Sequence, residues 1–289
     1  MQARIGVVVP CKDEAETIGR TIDSLVQQSL PPRLILVVDD GSQDSSKEIV
    51  GEFAEKYSTV KVIDSLRYGE RTTGAGIVDV FRTGIKALDI GQYDFVCKFD
   101  SDLEFPADYL QTVIDCFNQH PRAGLIGGVC TILSEGQWIL ESLFANDHVR
   151  GALKCYRTEA YVAIDGLPAV MGWDTLDEIK LRSAGYDVHV IDTLRVKQHR
   201  QTHSTIDPTR MSEKAAVGIY HMRLPYAIAL YSMIKRKFIQ PRLSLLRMLR
   251  VYHGAIVQRR PHVLSKAHGR IEAWRLLKRR FGRSHESKK

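Results

Sequence analysis

The chain is short of several things, and each shortage narrows what it can be. No apolar run is long enough to span a bilayer; the best one in the C-terminal part, residues 224–234, is short and interrupted. Residues 1–10 lack the extended apolar core of a secretory leader. Five cysteines (Cys11, Cys97, Cys116, Cys130, Cys155) stand in 289 residues with no CxxC spacing. An odd, scattered set argues against a disulfide framework or a zinc site and fits a reducing cytoplasm. Internal repeats and low-complexity tracts are also missing. Acid is scarce at one end: from Lys235 onward, Glu272 and Glu286 face 17 Lys and Arg, whereas the rest of the chain carries more acid than base. The formal net charge of +7 therefore hides an acidic body and a basic tail. With 44% hydrophobic and 26% charged residues, the body can build an ordinary globular core.

Four short apolar runs, residues 5–9, 34–38, 60–63 and 95–99, read as strands buried on both faces. Between them, residues 17–28, 45–57 and 76–87 have apolar positions at helical intervals. This βαβ series predicts an α/β fold with a mostly parallel sheet flanked by helices. Its carboxyl-end loops, starting at Pro10, Asp39, Asp64 and Asp100, share one rim. Further on, Gly127-Gly128 reads as a turn, 138–149 as a helix, and 175–184 as a helix closed by Gly185. From residue 209 the pattern is helical and basic, broken at Pro225, Pro241 and Pro261.

Each rim loop carries carboxylates: Asp13-Glu14, Asp39-Asp40-Gly41-Ser42, and Asp100-Ser101-Asp102-Leu103-Glu104. Taken singly, such groups are turn initiators or helix caps, and Ser42 or Asp44 suits the cap of the helix that follows. Taken together they suit a nucleotide: one carboxylate accepts from a base N–H, and a pair two residues apart at a strand end converges on a cation that neutralises phosphate.

Val7-Val8-Val9-Pro10-Cys11-Lys12-Asp13-Glu14, Val37-Val38-Asp39-Asp40-Gly41-Ser42-Gln43-Asp44 and Phe99-Asp100-Ser101-Asp102-Leu103, in that order, resemble the nucleotide-sugar half of family 2 glycosyltransferases. The resemblance covers about two-thirds of the chain. It implies a GT-A domain over 1–208 with a basic helical extension over 209–289, a UDP- or GDP-linked sugar donor, and Mg²⁺ or Mn²⁺. By it, Pro10 and Glu14 line the nucleotide pocket, Asp39 meets the base, and Asp100 and Asp102 serve ribose and metal. Glu104 falls where some relatives place a further metal ligand. Arg71, ahead of Gly74-Ala75-Gly76, reads as a diphosphate contact or as a solvated loop residue. His199 and Arg200 stand where relatives close over the diphosphate, His199 as a cation ligand and Arg200 as a charge partner. Arg157 falls on the acceptor side.

Inverting sugar transfer needs a carboxylate to take the acceptor's proton. Trp173-Asp174-Thr175-Leu176-Asp177-Glu178 resembles the family's acidic pair, with Asp174 at the base position and Asp177 the alternative. The chain departs from the pattern in having Trp173 where the first acid is usual, and two extra acids. The implied activity is an inverting, metal-dependent glycosyltransferase of polysaccharide, lipopolysaccharide or glycolipid assembly, acting on a glycan or lipid-linked acceptor. A sugar nucleotidyltransferase would want a basic Gly-rich loop where Lys12-Asp13-Glu14 stands. An adaptor with a dead transferase site is the remaining alternative. The basic tail suits an anionic membrane surface, so the expected location is cytoplasmic or peripheral on the cytoplasmic leaflet. The acidic rim argues against nucleic acid as a partner.

Overall fold

The computed structural model describes residues 2–65, 75–140, 148–200 and 207–286, with side chains up to Lys278. The first half is the expected alternation: β1 (Ile5–Cys11), α1 (Ile18–Val26), β2 (Leu34–Asp39), α2 (Ser46–Lys56), β3 (Val60–Asp64), α3 (Ala75–Ala87) and β4 (Phe95–Phe99). β1 pairs in parallel with both β2 and β4, and β2 with β3. Every residue of β1 is buried. Side chains alternate across a strand, so Val7 and Val9 join one apolar cluster with Ile18 and Ile22 of α1, while Val8 joins another with Phe81 of α3. A strand with cover on both faces has no polar side, which is why it reads as a continuous apolar run.

The second half mixes directions. It comprises β5 (Leu103–Glu104), α4 (Tyr109–Gln119), β6 (Ala123–Ser134), β7 (Gln137–Leu140), β8 (Leu153–Arg157), α5 (Thr158–Ala163), α6 (Trp173–Ser183) and β9 (Asp187–Gln198). The sheet runs β3-β2-β1-β4-β8-β6-β9-β5, with β7 on β6. β8 is antiparallel to β4 and to β6, whereas β6 and β9 are parallel.

Two local expectations fail here. Of the helix anticipated over 138–149, residues 138–140 are instead in strand β7 and 148–149 in a loop, because Glu135 (φ 48°) and Gly136 (φ 78°) form the two-residue left-handed turn that folds β7 back on β6. Gly127-Gly128 is not a turn but lies inside β6. A Cβ on Gly127 would sit 2.5 Å from the Leu153 carbonyl oxygen, and one on Gly128 would sit 2.3 Å from that of Leu194. Glycine there lets two neighbouring strands approach a bulged β6.

Helices α7 (Pro208–His221), α8 (Tyr226–Ile239), α9 (Leu245–Val257) and α10 (Lys266–Glu286) follow, with breaks at the expected prolines. They share an apolar cluster of their own, which takes in Leu176 and Ile179 of α6. α8 and α9 pack against each other. Among the described residues no helix is long and apolar enough to cross a membrane.

Close packing of α3 on the sheet gives a direct test. A Cβ on Gly84 would lie 2.4 Å from Val8 Cγ1 and 2.9 Å from Val38 Cγ2, whereas one on Gly51 in α2 would meet nothing within 4 Å. Gly84→Ala is expected to cost about 1–3 kcal/mol in urea unfolding. Gly51→Ala is expected to be neutral or to stabilise by up to about 1 kcal/mol.

Candidate active site

The carboxyl ends of β1, β2 and β4 form the rim, and side chains lace its loops together. Asp39 is buried, and its Oδ2 accepts from the backbone N–H groups of Gly41 and Ser42, both at 3.1 Å. Its Oδ1 accepts from the Ser42 hydroxyl at 2.5 Å. Asp44 Oδ1 accepts from the Ser46 N–H at 3.0 Å and its Oδ2 from the Ala15 N–H at 3.0 Å, so Asp44, not Ser42, closes the start of α2 and ties it to the first loop. Ser46 Oγ in turn donates to Asp44 Oδ1 and accepts from the Glu14 N–H at 2.8 Å. Asp13 takes a left-handed backbone (φ 53°), and its Oδ1 accepts from the Gln43 N–H at 2.7 Å. Pro10 is buried at the end of β1 beside Val38.

The aspartate triplet is fixed from below by α1. Thr21, buried in that helix, donates to the Ser101 carbonyl at 2.9 Å and accepts from the Leu103 N–H at 3.1 Å. One and two turns on, Ser24 accepts from Phe105 N–H at 3.2 Å, and Gln28 bridges the Pro106 carbonyl and the Leu110 N–H at 2.8 and 2.9 Å. A polar stripe on an otherwise apolar helix face thus holds the loop after β4.

From that loop Asp102 turns inward, with 7% of its surface exposed. Its Oδ2 accepts from Gln198 Nε2 at 3.0 Å, and Gln198 Oε1 is held by Arg150 at 2.9 Å. Asp102 Oδ1 is buried without a hydrogen-bond partner among the described residues. Burial, helped by the charges of Asp100 and Glu14, pushes the Asp102 carboxyl up to about 7. Asp100 forms an ion pair with Lys98, and Glu14 with Arg200, which reaches over from the end of β9. His199 donates its N–H to the Asp102 carbonyl at 2.9 Å, but its ring lies on Glu104, with Nε2 2.9 Å from Oε2. Lys197, first, and His199 hold the Glu104 carboxyl below its ordinary value against the effect of burial. Among the described residues, no three of His, Cys, Asp and Glu converge tightly enough to ligate a metal unaided. Arg71 lies outside the described residues.

On the other side of β4 lies a second acidic group. Lys98 and Lys154 are register partners on β4 and β8, both buried, and their ammoniums lie 5.5 and 5.8 Å from the Trp173 ring centroid. Lys154 Nζ contacts the Asp174 carbonyl (2.7 Å), Asp177 Oδ2 (2.9 Å) and Glu178 Oε1 (3.5 Å). Asp177 also accepts from the Tyr156 hydroxyl and is fully buried, so it is a counter-ion of the core and cannot reach an acceptor. Burial raises its pKa to about 6 although Lys154 opposes.

Asp174 differs. The N-cap of α6 is Gly172 (φ 81°), so Asp174 is not spent on capping, and its side chain keeps 33% exposure. His148 bridges it to Glu178, with Nε2 3.6 Å from Asp174 Oδ2 and Nδ1 3.1 Å from Glu178 Oε1. Burial alone would raise the Asp174 pKa, but His148, then Lys154 and Arg236 of α8, hold it well below the carboxylate range. His148 itself is desolvated, yet Glu178 and Asp174 carry its pKa to about 9. Arg157 is elsewhere: at the far end of β8 it donates to the Ala123 and Phe117 carbonyls at 3.1 and 3.2 Å, opposite the rim. The acceptor-side role implied for it is therefore corrected to a structural one.

Sequence reasoning missed Lys98, Lys154, His148, Gln198 and the Thr21 stripe. A lysine inside each of the apolar strands Phe95–Phe99 and Leu153–Arg157 was the available signal, since a lysine is almost never fully buried unless paired. His148 had none, because its partners are brought together by the fold.

An α/β core with acidic rim loops, extended by an antiparallel strand whose lysine holds a second acidic group on α6, defines a GT-A type domain. Residues 6–159 match glycosyl transferase family 2, and the chain belongs to that family. It is 25% identical over 124 residues to poly-beta-1,6-N-acetyl-D-glucosamine synthase of Staphylococcus epidermidis, covering 43% of this chain and 28% of that protein. It is 28% identical over 137 residues to an amylovoran biosynthesis glycosyltransferase of Erwinia amylovora, covering 46% of this chain and 43% of that protein. The chain thus spans less than half the length of either relative. In fold it is similar to a mannosyltransferase from Pyrobaculum calidifontis in complex with GDP-Man and Mn²⁺, with TM-score 0.64, 16% identity, and coverage of 96% of this chain and 80% of that one. It is also similar to S. aureus TarS 1–349 in complex with UDP-GlcNAc, with TM-score 0.59, 20% identity, and coverage of 81% and 72%.

Two outcomes follow from the buried charges. Lys154→Met strands Asp177 and Glu178 and is expected to lower stability by about 3–5 kcal/mol in urea unfolding, with part recovered on adding Asp177→Asn. His148 has a folded pKa of about 9 against an ordinary value of 6.5. Its stabilisation is complete below the lower value and is lost as pH rises through the higher one. The fall in Tm across that window is expected to be smaller in His148→Gln than in the parent.

Proposed function

We propose that this chain is an inverting glycosyltransferase that moves a sugar from a UDP- or GDP-linked donor to an acceptor hydroxyl with a divalent cation. The observation that carries the reading is the buried Asp102 Oδ1, without a hydrogen-bond partner among the described residues, beside the carboxylates of Asp100 and Glu14 and separated from Asp174 by the Lys98–Lys154 pair. A buried carboxylate oxygen without a donor costs free energy unless a ligand completes it. Mg²⁺ and Mn²⁺ suit hard oxygen donors, and Mg²⁺ is commonly held by one or two carboxylates plus substrate phosphates, so a rim without three convergent protein ligands still fits such an ion. Asp102 and Asp100 would hold it, and when bound it would neutralise the donor's diphosphate. In this reading His199 is withdrawn from ligation by Glu104 and serves to orient the loop through its backbone.

The protein's own groups then divide the work. Pro10, Glu14 and Asp39 shape the nucleotide pocket, Asp39 having one lone-pair direction on Oδ1 left for a base N–H after bracing its own loop. Arg200 leaves Glu14 for the diphosphate as the nucleotide enters, and Arg71 is a further diphosphate contact in the same reading. Asp174, ionised at neutral pH, receives the acceptor's proton as the acceptor oxygen bonds to the sugar's anomeric carbon and the bond from that carbon to the diphosphate breaks. A carboxylate held this acidic takes the proton late, once the attacking hydroxyl has itself become strongly acidic. The names of the relatives support a glycan product, and residues 209–289 are read as a basic helical extension of the transferase domain that packs on α6.

Calorimetry with UDP and GDP is expected to show binding that requires Mn²⁺ or Mg²⁺ and is lost in Asp102→Asn. Without metal the same variant is expected to melt a few degrees higher than the parent, about 1–3 kcal/mol, because an unmet buried charge is gone. Asp174→Asn is expected to keep metal-dependent nucleotide binding and lose about 10²–10⁴-fold in turnover. Retained nucleotide binding by Asp102→Asn would overturn the reading.

A further inference from the structure

Beyond the sheet, the end of the α8–α9 hairpin presents a cluster of exposed apolar side chains. α8 closes with Phe238 and Ile239, and α9 opens with Leu246; Phe238 is 81% exposed, Ile239 51% and Leu246 78%. Isolated apolar side chains on a surface are ordinary, but three within nine residues at one tip are not. Leu243, buried at 1%, anchors the short connection, and Lys237 Nζ donates to the Pro241 carbonyl at 2.5 Å, so the tip is a built turn. Cations surround it: Lys235, Arg242 and Arg250 are all exposed. No carboxylate occurs between Glu213 and Glu272 to offset them.

We infer that this tip docks the protein onto an anionic lipid bilayer, Phe238, Ile239 and Leu246 entering the headgroup region while Lys235, Arg242 and Arg250 meet lipid phosphates. Charge complementarity picks this occupant. Apolar side chains ringed by lysine and arginine gain from both the acyl boundary and the anionic headgroups, and each cation near such a surface adds to binding. Nucleic acid would use the cations and leave the three apolar groups in water. A second copy of the chain would bring the same positive charge to the contact, and like charges oppose it.

The tip also adjoins, along α8, a residue whose charge reaches Asp174. Arg236, in the last turn of α8, is close enough for its charge to act on Asp174. Phe238 and Ile239 follow it by two and three residues, about 3–4.5 Å along the helix axis. A bilayer seated on the tip would lie near this end of α8, and an acceptor held at that bilayer is what would connect docking to transfer. The docking surface stands on the tip alone; its link to the acceptor rests on the reaction proposed above.

Co-sedimentation with vesicles tests it: phosphatidylcholine alone, and phosphatidylcholine with about one-third phosphatidylglycerol, at about 0.1 M salt. The parent is expected to partition roughly tenfold or more into the anionic vesicles over the neutral ones, and to be released by high salt. Phe238→Ser with Leu246→Ser is expected to lose about tenfold of that partition, and Lys235→Glu with Arg242→Glu at least as much. Both pairs are exposed, and unchanged Mn²⁺-dependent nucleotide binding shows that they fold. Equal partition into both vesicles, an unchanged apolar variant, self-association that the apolar variant abolishes, or tighter binding of a DNA duplex than of vesicles would each overturn the inference. Failure of nucleotide binding in the parent would instead strike the proposed transfer reaction and leave the vesicle result standing.

Discussion

Two lysines are register partners in the middle of the sheet, Lys98 on β4 and Lys154 on β8, and both are buried. A buried cation is tolerated only with a counter-charge, and here the counter-charges organise the rim and α6 together. Lys98 takes Asp100, which stations the triplet at the strand's end. Lys154 takes Asp177, Glu178 and the carbonyl of Asp174, which clamps the first turn of α6 onto the sheet. Trp173 closes over both ammoniums, and Gly151 leaves it the room: a Cβ there would come within 2.9 Å of the indole. Remove either lysine and the acids near it repel one another; keep both and two groups of carboxylates stay apart.

This arrangement accounts for the ways the chain departs from its family's pattern. Trp173, standing where an acid is usual, supplies a ring face for two cations. The extra acids Asp177 and Glu178 are counter-ions of Lys154, and Glu178 fixes His148 as a bridge to Asp174. Asp102 is the opposite case: its Oδ2 accepts from Gln198, while its buried Oδ1 has no hydrogen-bond partner among the described residues. A site that carries the cost of such an oxygen without ligand is one that a ligand can relieve.

The parallel half of the sheet was legible because β1, β2 and β4 are buried on both faces and flanked by helices of plain periodicity. The acidic rim was legible for a related reason: polar residues at strand ends interrupt apolar runs at visible positions. β7 escaped notice because Trp138, Ile139 and Leu140 run together without the apolar–polar alternation of a half-buried strand, and its Glu135-Gly136 turn depends on a left-handed backbone that glutamate seldom adopts. Gly127 and Gly128 misled because glycine marks close approach within a sheet as readily as a turn. The choice between Asp174 and Asp177 could not be made from spacing, since both lie near the start of one helix; the full burial of Asp177 and the partial exposure of Asp174 are what favour Asp174 in the proposed reaction, and burial belongs to the fold.

The central claim is that Asp102 Oδ1 is the open valence of a donor site built apart from Asp174. Anomalous diffraction from a crystal grown with Mn²⁺ and UDP or GDP tests it most directly. A manganese peak at about 2.0–2.3 Å from Asp102 Oδ1, with nucleotide phosphate completing its shell and Asp174 outside it, is the expected result. A peak held by Glu104 and His199, or at Asp174, with Asp102 Oδ1 still lacking a partner, would contradict it.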